Sequence, residues 1–359
     1  MKWSWNIGRI AGIRILIHWT FLLLIAWIAF AEAGRGADLT GILLTVGFVL
    51  TIFGCVVLHE LGHSLTARKY NIGTRKITLL PIGGVASLEK MPEDPKQELA
   101  IAVAGPAVNV AIALVLLFFI PFDQIPVEEE ELAAISRENF LFSLFSVNVI
   151  LVLFNIIPAF PMDGGRIFRA LLALKMDRIK ATNIASKTGQ VVAIAFIFIG
   201  LFYNLFLVFI GIFVFYAAHA ENLHVQHFDL LKGYTIRDAM MTSFMVLHPE
   251  NTVKDAVDKL LAGSDQDFLV EDEGKPIGLV STNNILAALK DNKMEHPVTE
   301  IMRRQFDTFQ ADDKLTEVFA AAQKSKSTFF PVLEGERVIG VINQNNVNEF
   351  LMVQSVLKQ

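Results

Sequence analysis

The most constraining feature of this chain is a metal-binding helix signature at the end of an uncharged apolar segment. Residues 41–55 carry no charged side chain and lead into His59-Glu60-Leu61-Gly62-His63. Histidines at positions i and i+4 share one face of a helix and can bind a single Zn²⁺, while the glutamate between them can polarise a bound water. Because ionisable groups at membrane depth are costly, such a cluster is expected to be functional. The pattern predicts metal-dependent hydrolysis in or beside a bilayer.

The composition is typical of a polytopic membrane protein with a soluble appendix. Of the residues, 53% are hydrophobic and 19% are charged, and the apolar content falls sharply after Ala220. A membrane crossing needs about 20 apolar residues. Candidate spans are 15–33, 39–67, 99–120 and 140–158, followed by a run over 185–220 that we interpret as two short helices turning near Tyr203-Asn204. The sequence therefore predicts a polytopic α-helical membrane protein with about six transmembrane helices.

The distribution of basic residues predicts the orientation of these spans. Basic residues precede the first span and follow the second and the fourth: Lys2, Arg9, Arg14; Arg68, Lys69, Arg75, Lys76; Arg166, Arg169, Lys175, Arg178, Lys180. The intervening loops carry Arg35 and the acidic run 128–131. Because basic loops face the cytosol, we expect a multi-pass cell-membrane protein with a cytosolic N-terminus. Six crossings also place the C-terminal region in the cytosol.

A candidate third metal ligand follows the fourth span. In the segment 155–166, Pro158 and Pro161 break the helix, and Gly164-Gly165 allow backbone shapes that other residues resist. Asp163 would then project from a broken helix end at the depth of the two histidines. Two histidines and one carboxylate, with a fourth position left for water, form a catalytic zinc site rather than a closed structural one. The alternative is that Asp163 caps the following helix.

Three motifs together resemble the site-2 protease family of intramembrane zinc metalloproteases. They are His-Glu-Leu-Gly-His at 59–63, Gly-Pro-Ala-Val-Asn at 105–109 and Asn-Ile-Ile-Pro-Ala-Phe-Pro-Met-Asp-Gly-Gly at 155–165, within a domain of residues 1–222. The resemblance implies that His59, His63 and Asp163 bind one Zn²⁺ per chain and that Glu60 is the general base and acid. It also implies that Asn155 helps to hold the substrate carbonyl or oxyanion, although an interhelical hydrogen bond is an equal alternative for this residue.

Two further segments have expected roles around the site. The β-prone stretch 77–88 is, by the same resemblance, a short sheet whose edge pairs with an unwound substrate; a plain connector is the alternative. We interpret Gly105 and Asn109 mainly as helix packing, with a possible contact to a metal ligand. His18 would lie about one turn inside the first span.

The soluble half is an internal repeat at a constant offset of 62 residues. Met240, Val270, Gly278 and Asn284 correspond to Met302, Val332, Gly340 and Asn346. Each copy contains an amphipathic helix (252–262, 314–324) and strands that end before a closing helix. The repeat resembles a tandem pair of CBS domains, an α/β module that we assign to residues 233–293 and 294–355 and that, from the charge distribution above, we place in the cytosol.

The ligand of this CBS pair is left open by the sequence. The nucleotide-binding pattern of the family has a threonine and an aspartate after the last strand, where this chain has Ser281 and Asn284 in one copy and Asn343 and Asn346 in the other. Ser281 and Asn284 are the candidate contacts to an adenine nucleotide. A structural module, or one that forms a homodimer, is an equal alternative.

The expected function is hydrolysis of transmembrane protein substrates within the lipid bilayer, near its cytosolic face, in regulated intramembrane proteolysis. The alternatives are a CBS-regulated transporter with a cation pathway and a catalytically silent scaffold. The net charge of −5 with no basic stripe argues against nucleic acid as a partner.

Overall fold

The fold is known from a computed structural model that describes residues 4–88, 92–120, 135–263, 266–324 and 329–357. The acidic run 128–131, used above for orientation, lies outside these residues. The chain forms two compact units, Met1–Leu223 and His224–Gln359.

The first unit contains a four-stranded sheet of which only the second half was predicted. Its strands are β1 (Ser4–Ile10), β2 (Ile13–His18), β3 (Thr74–Leu80) and β4 (Gly83–Leu88), in the order β1-β2-β3-β4. The two hairpins are antiparallel, and β2 and β3 are parallel. The prediction of a short sheet over 77–88 is confirmed.

The expectation that residues 15–33 form one span was wrong at its start. Helix α1 covers Trp19–Gly34, and His18 is its N-cap, with its ring accepting the Thr20 amide at 3.4 Å. Ile13, Ile15 and Ile17 alternate with exposed or half-buried residues, which is a strand pattern, and β-branched residues favour it. Pairing with β3 satisfies the backbone of this segment, so His18 is not inside a span.

The remaining helices of the first unit follow the predicted apolar runs. They are α2 (Leu39–Lys69), α3 (Pro95–Leu117), α4 (Phe140–Ile156), α5 (Asp163–Ala173), α6 (Arg178–Tyr203) and α7 (Leu205–Leu230). Among the described residues, α2, α3, α6 and α7 are long and apolar enough to cross a membrane, whereas α1 and α4 are shorter apolar helices. Four helices of spanning length are thus found among the described residues, and the expected count of about six spans is not confirmed by helix length.

The prediction of two helices with a turn near Asn204 in the run 185–220 is confirmed, but each helix has 26 residues and is not short. The chain turns at Asn204, whose backbone is extended and whose side chain accepts the Phe206 amide at 2.9 Å. The helices on either side approach closely at glycines: a Cβ added to Gly211 would lie 2.7 Å from the Ala193 carbonyl oxygen. Small residues allow such close packing between membrane helices.

The second unit consists of two copies of one α/β motif, as the repeat predicts. The elements are β5 (Val246–Leu247), α8 (Val253–Ala262), β6 (Asp267–Asp272), β7 (Lys275–Ser281) and α9 (Thr282–Lys290), then β8 (Phe309–Gln310), α10 (Leu315–Lys324), β9 (Phe329–Glu334), β10 (Arg337–Asn343) and α11 (Gln344–Leu357). In each copy a short strand pairs in parallel with the first strand of an antiparallel hairpin.

The corresponding methionines and glycines of the repeat explain how the two copies join. A Cβ on Gly340 would lie 2.8 Å from the Met240 sulfur, and one on Gly278 would lie 2.4 Å from the Met302 sulfur. The opening methionine of each copy therefore packs against the strand glycine of the other copy. Backbone hydrogen bonds also link the two copies, since the Met241 amide of the first copy donates to the Val341 carbonyl of the second at 2.8 Å.

Candidate metal centre

Helix α2 supplies two histidines one turn apart. His59 and His63 are both buried, and their Nε2 atoms lie 3.1 Å from each other. Their rings meet edge to face, with centroids 4.8 Å apart. The i, i+4 spacing alone produces this arrangement on a helix.

Asp163 completes a triangle with the two histidines. Its Oδ2 lies 3.1 Å from His59 Nε2 and 3.0 Å from His63 Nε2. Helix α4 ends at Ile156, and Asp163 is the first residue of α5, whose N-cap is Met162. The capping alternative is therefore not what is observed, because the carboxylate faces the histidines.

A glycine makes this short connection between α4 and α5 possible. A Cβ on Gly164 would lie 2.2 Å from the carbonyl oxygens of both Ile156 and Ile157. No side chain is tolerated at that distance, so the close return of α5 onto the end of α4 requires glycine. The close packing of Gly164 against the end of α4 therefore determines where Asp163 lies.

Hydrogen bonds to backbone carbonyls determine which nitrogen of each histidine carries the proton. His63 Nδ1 lies 2.7 Å from the Ile101 carbonyl oxygen. That oxygen can only accept, so Nδ1 must donate. The Nε2 atom of neutral His63 then presents a lone pair toward Asp163.

The position of the proton on His59 follows in the same way from the hydrogen bonds of two buried asparagine side chains. Asn148 Nδ2 donates to the Leu144 carbonyl at 2.8 Å, so its Oδ1 is the atom that accepts from Asn109 Nδ2 at 3.1 Å. Asn109 therefore presents Oδ1 to His59 Nδ1, at 2.8 Å. His59 Nδ1 must donate, and its Nε2 also presents a lone pair to the triangle.

Three buried electron-pair donors thus converge with no proton between them. Without a cation, lone pairs of His59, His63 and Asp163 about 3 Å apart would repel one another. Donors bound to Zn²⁺ at about 2.0–2.1 Å in a tetrahedron are separated by about 3.3–3.4 Å, close to the spacing observed here. These residues, identified as a possible ion-binding group among the described residues, therefore fit Zn²⁺.

The backbone of α3 closes one side of the triangle. A Cβ on Gly105 would lie 2.1 Å from His63 Nε2 and 2.7 Å from His59 Nε2. Helices α2 and α3 are also in close contact at Gly62, where an added Cβ would lie 2.7 Å from the Ala104 carbonyl oxygen. Gly105 thus provides the space in which the ligands meet. The contact from Asn109 to a histidine, expected as a possibility, is observed.

Glu60 lies beside the triangle and against the sheet. Its side chain is half-buried, and a Cβ on Gly84 of β4 would lie 2.9 Å from Glu60 Cγ. Strand β4 is an edge strand of the sheet. The absence of a side chain at Gly84 brings this strand edge close to the carboxylate.

The other predicted site residues lie in two places. Asn155 is half-buried in the last turn of α4, and the described part of the chain offers it no hydrogen bond. Ser281 is the N-cap of α9, and its Oγ donates to Asn284 Oδ1 at 2.6 Å. Both CBS residues are therefore engaged in capping a helix.

Sequence reasoning missed two buried polar groups. The first is Asn148, which is buried and whose only signal was an amide within an apolar helix that also carries Asn155. The second is a buried ion cluster in which Arg169 donates to Glu98 and, at 2.5 Å, to Glu221. Arg169 had been counted as a loop cation, but it stacks over the Phe160 ring at 5.0 Å.

Comparison with known proteins identifies the family. A model described as peptidase family M50 matches residues 47–125 and 121–199, and a CBS domain model matches 236–291 and 298–353. The chain is 33% identical to zinc metalloprotease MJ0392 of Methanocaldococcus jannaschii, over 100% of this chain and 98% of that protein. The chain belongs to the site-2 protease family.

Two further proteins are similar to this chain, one by sequence and one a solved structure. The protease is 26% identical to Rip3 of Mycobacterium tuberculosis, over 97% of this chain and 92% of that protein. It is 38% identical to a solved site-2 protease from Methanocaldococcus jannaschii, with a TM-score of 0.45, covering 61% of this chain and 95% of that chain. The protease is a membrane-embedded zinc metallopeptidase carrying a CBS pair, which favours neither the transporter nor the scaffold alternative.

Proposed function

We propose that the protease hydrolyses peptide bonds of transmembrane proteins near the cytosolic face of the membrane, as a step of regulated intramembrane proteolysis. The observation that carries this proposal is the buried triangle of His59 Nε2, His63 Nε2 and Asp163 Oδ2, with sides of 3.0–3.1 Å. The two histidines belong to α2, a helix long enough to span a bilayer. A metal-bound water at such a site could attack peptide bonds that lie within the water-poor membrane.

Each residue of the site has a role in this proposal. His59, His63 and Asp163 bind one Zn²⁺, which when bound supplies a Lewis acid for the scissile carbonyl and lowers the pKa of its water. Glu60 accepts a proton from the attacking water on its carboxylate and passes it to the leaving amine. Asn155 donates an amide N–H to the developing oxyanion, and its half-buried side chain is available because it has no hydrogen bond within the described residues.

The substrate binds as an extended strand along β4. A transmembrane helix has its backbone groups paired internally, so it must unwind before its peptide bond can be attacked. Among the described residues no strand pairs with the outer edge of β4, so its backbone groups can pair with such a segment. Gly84 sets this edge directly beside Glu60, where an added Cβ would lie 2.9 Å from Cγ. The paired substrate strand would therefore pass next to the proton acceptor.

The topology that we propose retains six crossings. Helices α1 and α4, of 16 and 17 residues, are about 24–26 Å long at about 1.5 Å per residue, slightly less than a hydrocarbon core of about 30 Å. Together with α2, α3, α6 and α7 they give an even number of crossings. An even number returns the CBS pair, assigned to 233–293 and 294–355, to the side of the N-terminus. The positive-inside rule makes this side the cytosol.

The CBS pair would modulate proteolysis by binding an adenine nucleotide near Ser281 and Asn284. Each of these side chains already bonds the other, at 2.6 Å, so a ligand must compete with the capping box or use the remaining lone pairs. Titration of AMP into the full-length protease tests this role. Saturable heat in the wild type that is lost in Ser281→Ala supports it, and heat that is unaffected by the substitution contradicts the assignment. A homodimer through the CBS pair would appear as a doubled mass in the same sample.

The decisive experiment on the proteolytic function uses co-reconstituted liposomes. The protease and a single-span substrate are incubated as wild type, as Glu60→Gln and as the control Glu32→Gln, and zinc content is measured in all three. Glu32 is ion-paired to Arg35 at 3.0 Å, at an exposed helix end, so its substitution changes one carboxylate outside the site. Cleavage lost only in Glu60→Gln with zinc retained supports the proposal. Equal cleavage by both variants removes Glu60 from its role.

A further inference from the structure

Arg169 is a buried cation on the helix that begins with Asp163. Both residues belong to α5, and Arg169 lies six residues after Asp163, about 9 Å further along the helix at about 1.5 Å per residue. The Arg169 side chain is 1% exposed. Because a buried charge is strongly unfavourable unless it is paired, the ion partners of Arg169 determine where this half of α5 can lie.

The first ion partner of Arg169 is Glu98 of α3. Glu98 is also buried, and its Oε1 accepts a hydrogen bond from Arg169 Nε at 2.9 Å and a second one from Nη2. Two donors on one carboxylate restrict the orientation of the planar guanidinium more than a single hydrogen bond would. Helix α5 is thereby attached to α3 at Glu98, which lies one turn before Ile101.

Helix α3 is also the helix that orients both histidines. The Ile101 carbonyl accepts from His63 Nδ1 at 2.7 Å, and Asn109 Oδ1 accepts from His59 Nδ1 at 2.8 Å. The two histidine rings therefore take their orientation from α3, whereas the carboxylate of the triangle comes from α5. A fixed attachment of α5 to α3 keeps the three side chains facing one another.

A second attachment of α5 comes from α7. Arg169 Nη1 donates to Glu221 of α7 at 2.5 Å, and its guanidinium lies over the Phe160 ring, 5.0 Å from the centroid. Phe160 precedes Asp163 by three residues and belongs to one buried apolar cluster with Ala218 of α7. Helix α7 thus contacts the segment that bears Asp163 on both sides of this residue in the sequence.

We propose that Arg169 is a positioning residue for zinc binding, which fixes α5 to α3 and α7 so that Asp163 stays in place opposite the two histidines. This inference rests on the proposed role of Asp163 as a zinc ligand. Metal sites tolerate only about 0.2 Å of change in ligand distances, so a loosened α5 would hold the ligand less well. Residues that orient metal ligands contribute about 10- to 100-fold in metal affinity. Because Arg169 acts through its helix and not through a direct bond to Asp163, we expect the lower value of about 10-fold.

The test is a zinc titration of the purified full-length protease in micelles, with the free energy of unfolding measured in parallel. Arg169→Lys keeps the buried charge but loses the planar group that reaches both glutamates at once. The control is Ser186→Ala, which removes a buried hydrogen bond of 2.7 Å between α6 and the Ala218 carbonyl of α7. Arg169→Lys should raise the dissociation constant for zinc about 10-fold. Ser186→Ala should leave it unchanged, although both substitutions lower stability.

A double-mutant cycle shows whether Arg169 acts through Asp163. Asp163→Asn should weaken zinc binding by itself, and Arg169→Lys should then add little further loss, because the carboxylate that it positions is gone. Additive losses would overturn the proposal, as would unchanged affinity in Arg169→Lys or an equal loss in Ser186→Ala. Unchanged affinity in Asp163→Asn would reject the ligand assignment and this inference with it. If Arg169→Lys does not fold, Glu221→Gln, which leaves the bond to Glu98 in place, is judged by the same criteria.

Discussion

Replacement of Gly105 by alanine should abolish tight zinc binding by adding a single methyl group. The new Cβ would lie 2.1 Å from His63 Nε2, 2.5 Å from His63 Cε1 and 2.7 Å from His59 Nε2. Since non-bonded carbon contacts are comfortable at about 3.5 Å, the shortest of these overlaps by about 1.4 Å. Metal–ligand distances tolerate only about 0.2 Å of change. The ring of His63 must therefore leave its position.

The size of the effect follows from the loss of one ligand. Zinc sites with four ligands are worth about 10–16 kcal/mol, or about 3 kcal/mol per ligand, which is on the order of 100-fold in affinity. Helix α3 cannot easily retreat, because its Ala104 carbonyl already touches α2 at Gly62. We expect the dissociation constant for zinc to rise at least 100-fold, with substrate cleavage falling in parallel.

The assay is competition for zinc against a chromogenic chelator, with Gly47→Ala as the matched control. Gly47 also lies within a membrane helix, and a Cβ there has no neighbour within 4 Å. Glycine-to-alanine changes favour a helix by up to about 1 kcal/mol, so a general loss of helix stability would not explain a difference between the two variants. Equal zinc affinity in Gly105→Ala and Gly47→Ala would refute the close approach of α3 to the ligands.

Three other substitutions test the polar network and the CBS unit. Asn148→Leu removes the amide that orients Asn109, the hydrogen-bond partner of His59, so zinc affinity in the same assay should fall about 10- to 100-fold. Unchanged zinc affinity would show that Asn148 does not orient the Asn109–His59 pair. Arg169→Met leaves the buried Glu98 and the half-buried Glu221 without the Arg169 guanidinium, and the free energy of unfolding in mixed micelles should fall by about 3–5 kcal/mol. A loss no larger than that caused by replacing the exposed Arg35 would contradict this assignment. Burial raises the pKa of Asp267 above its ordinary 3.8, so stability should fall as the pH rises through that raised value. Asp267→Asn should remove this dependence in thermal unfolding between pH 4 and pH 8, and a persistent slope would trace it to another group.

Some features of the site follow from local sequence because they depend on one helix. The spacing of His59 and His63 determines that their rings share a face, whatever surrounds the helix. The repeat of the soluble half likewise predicts corresponding strands and helices, and the exchange of Met240 and Met302 between the copies fits that symmetry. Asp163 could be predicted as the third metal ligand because the helix before it is broken by prolines.

Other features have no local signature. Residues 15–18 were predicted as the start of a membrane helix, and only the pairing of their strand with β3 makes them part of a sheet. Asn148 and Arg169 were single polar residues in or beside apolar runs, with no pattern that named their partners. Their contacts join positions 39 and 71 residues apart, respectively.

The sequence by itself determined the class of protein, the shared helix face of His59 and His63 and the double CBS repeat, because helical periodicity and internal repetition are properties of neighbouring residues. Only the tertiary structure decided how the proton positions of the histidines are set. That depends on Asn109, Asn148 and two backbone carbonyls brought together from three helices. Hydrogen-bond partners are selected by packing in space, and packing between helices distant in sequence is not encoded in any single segment.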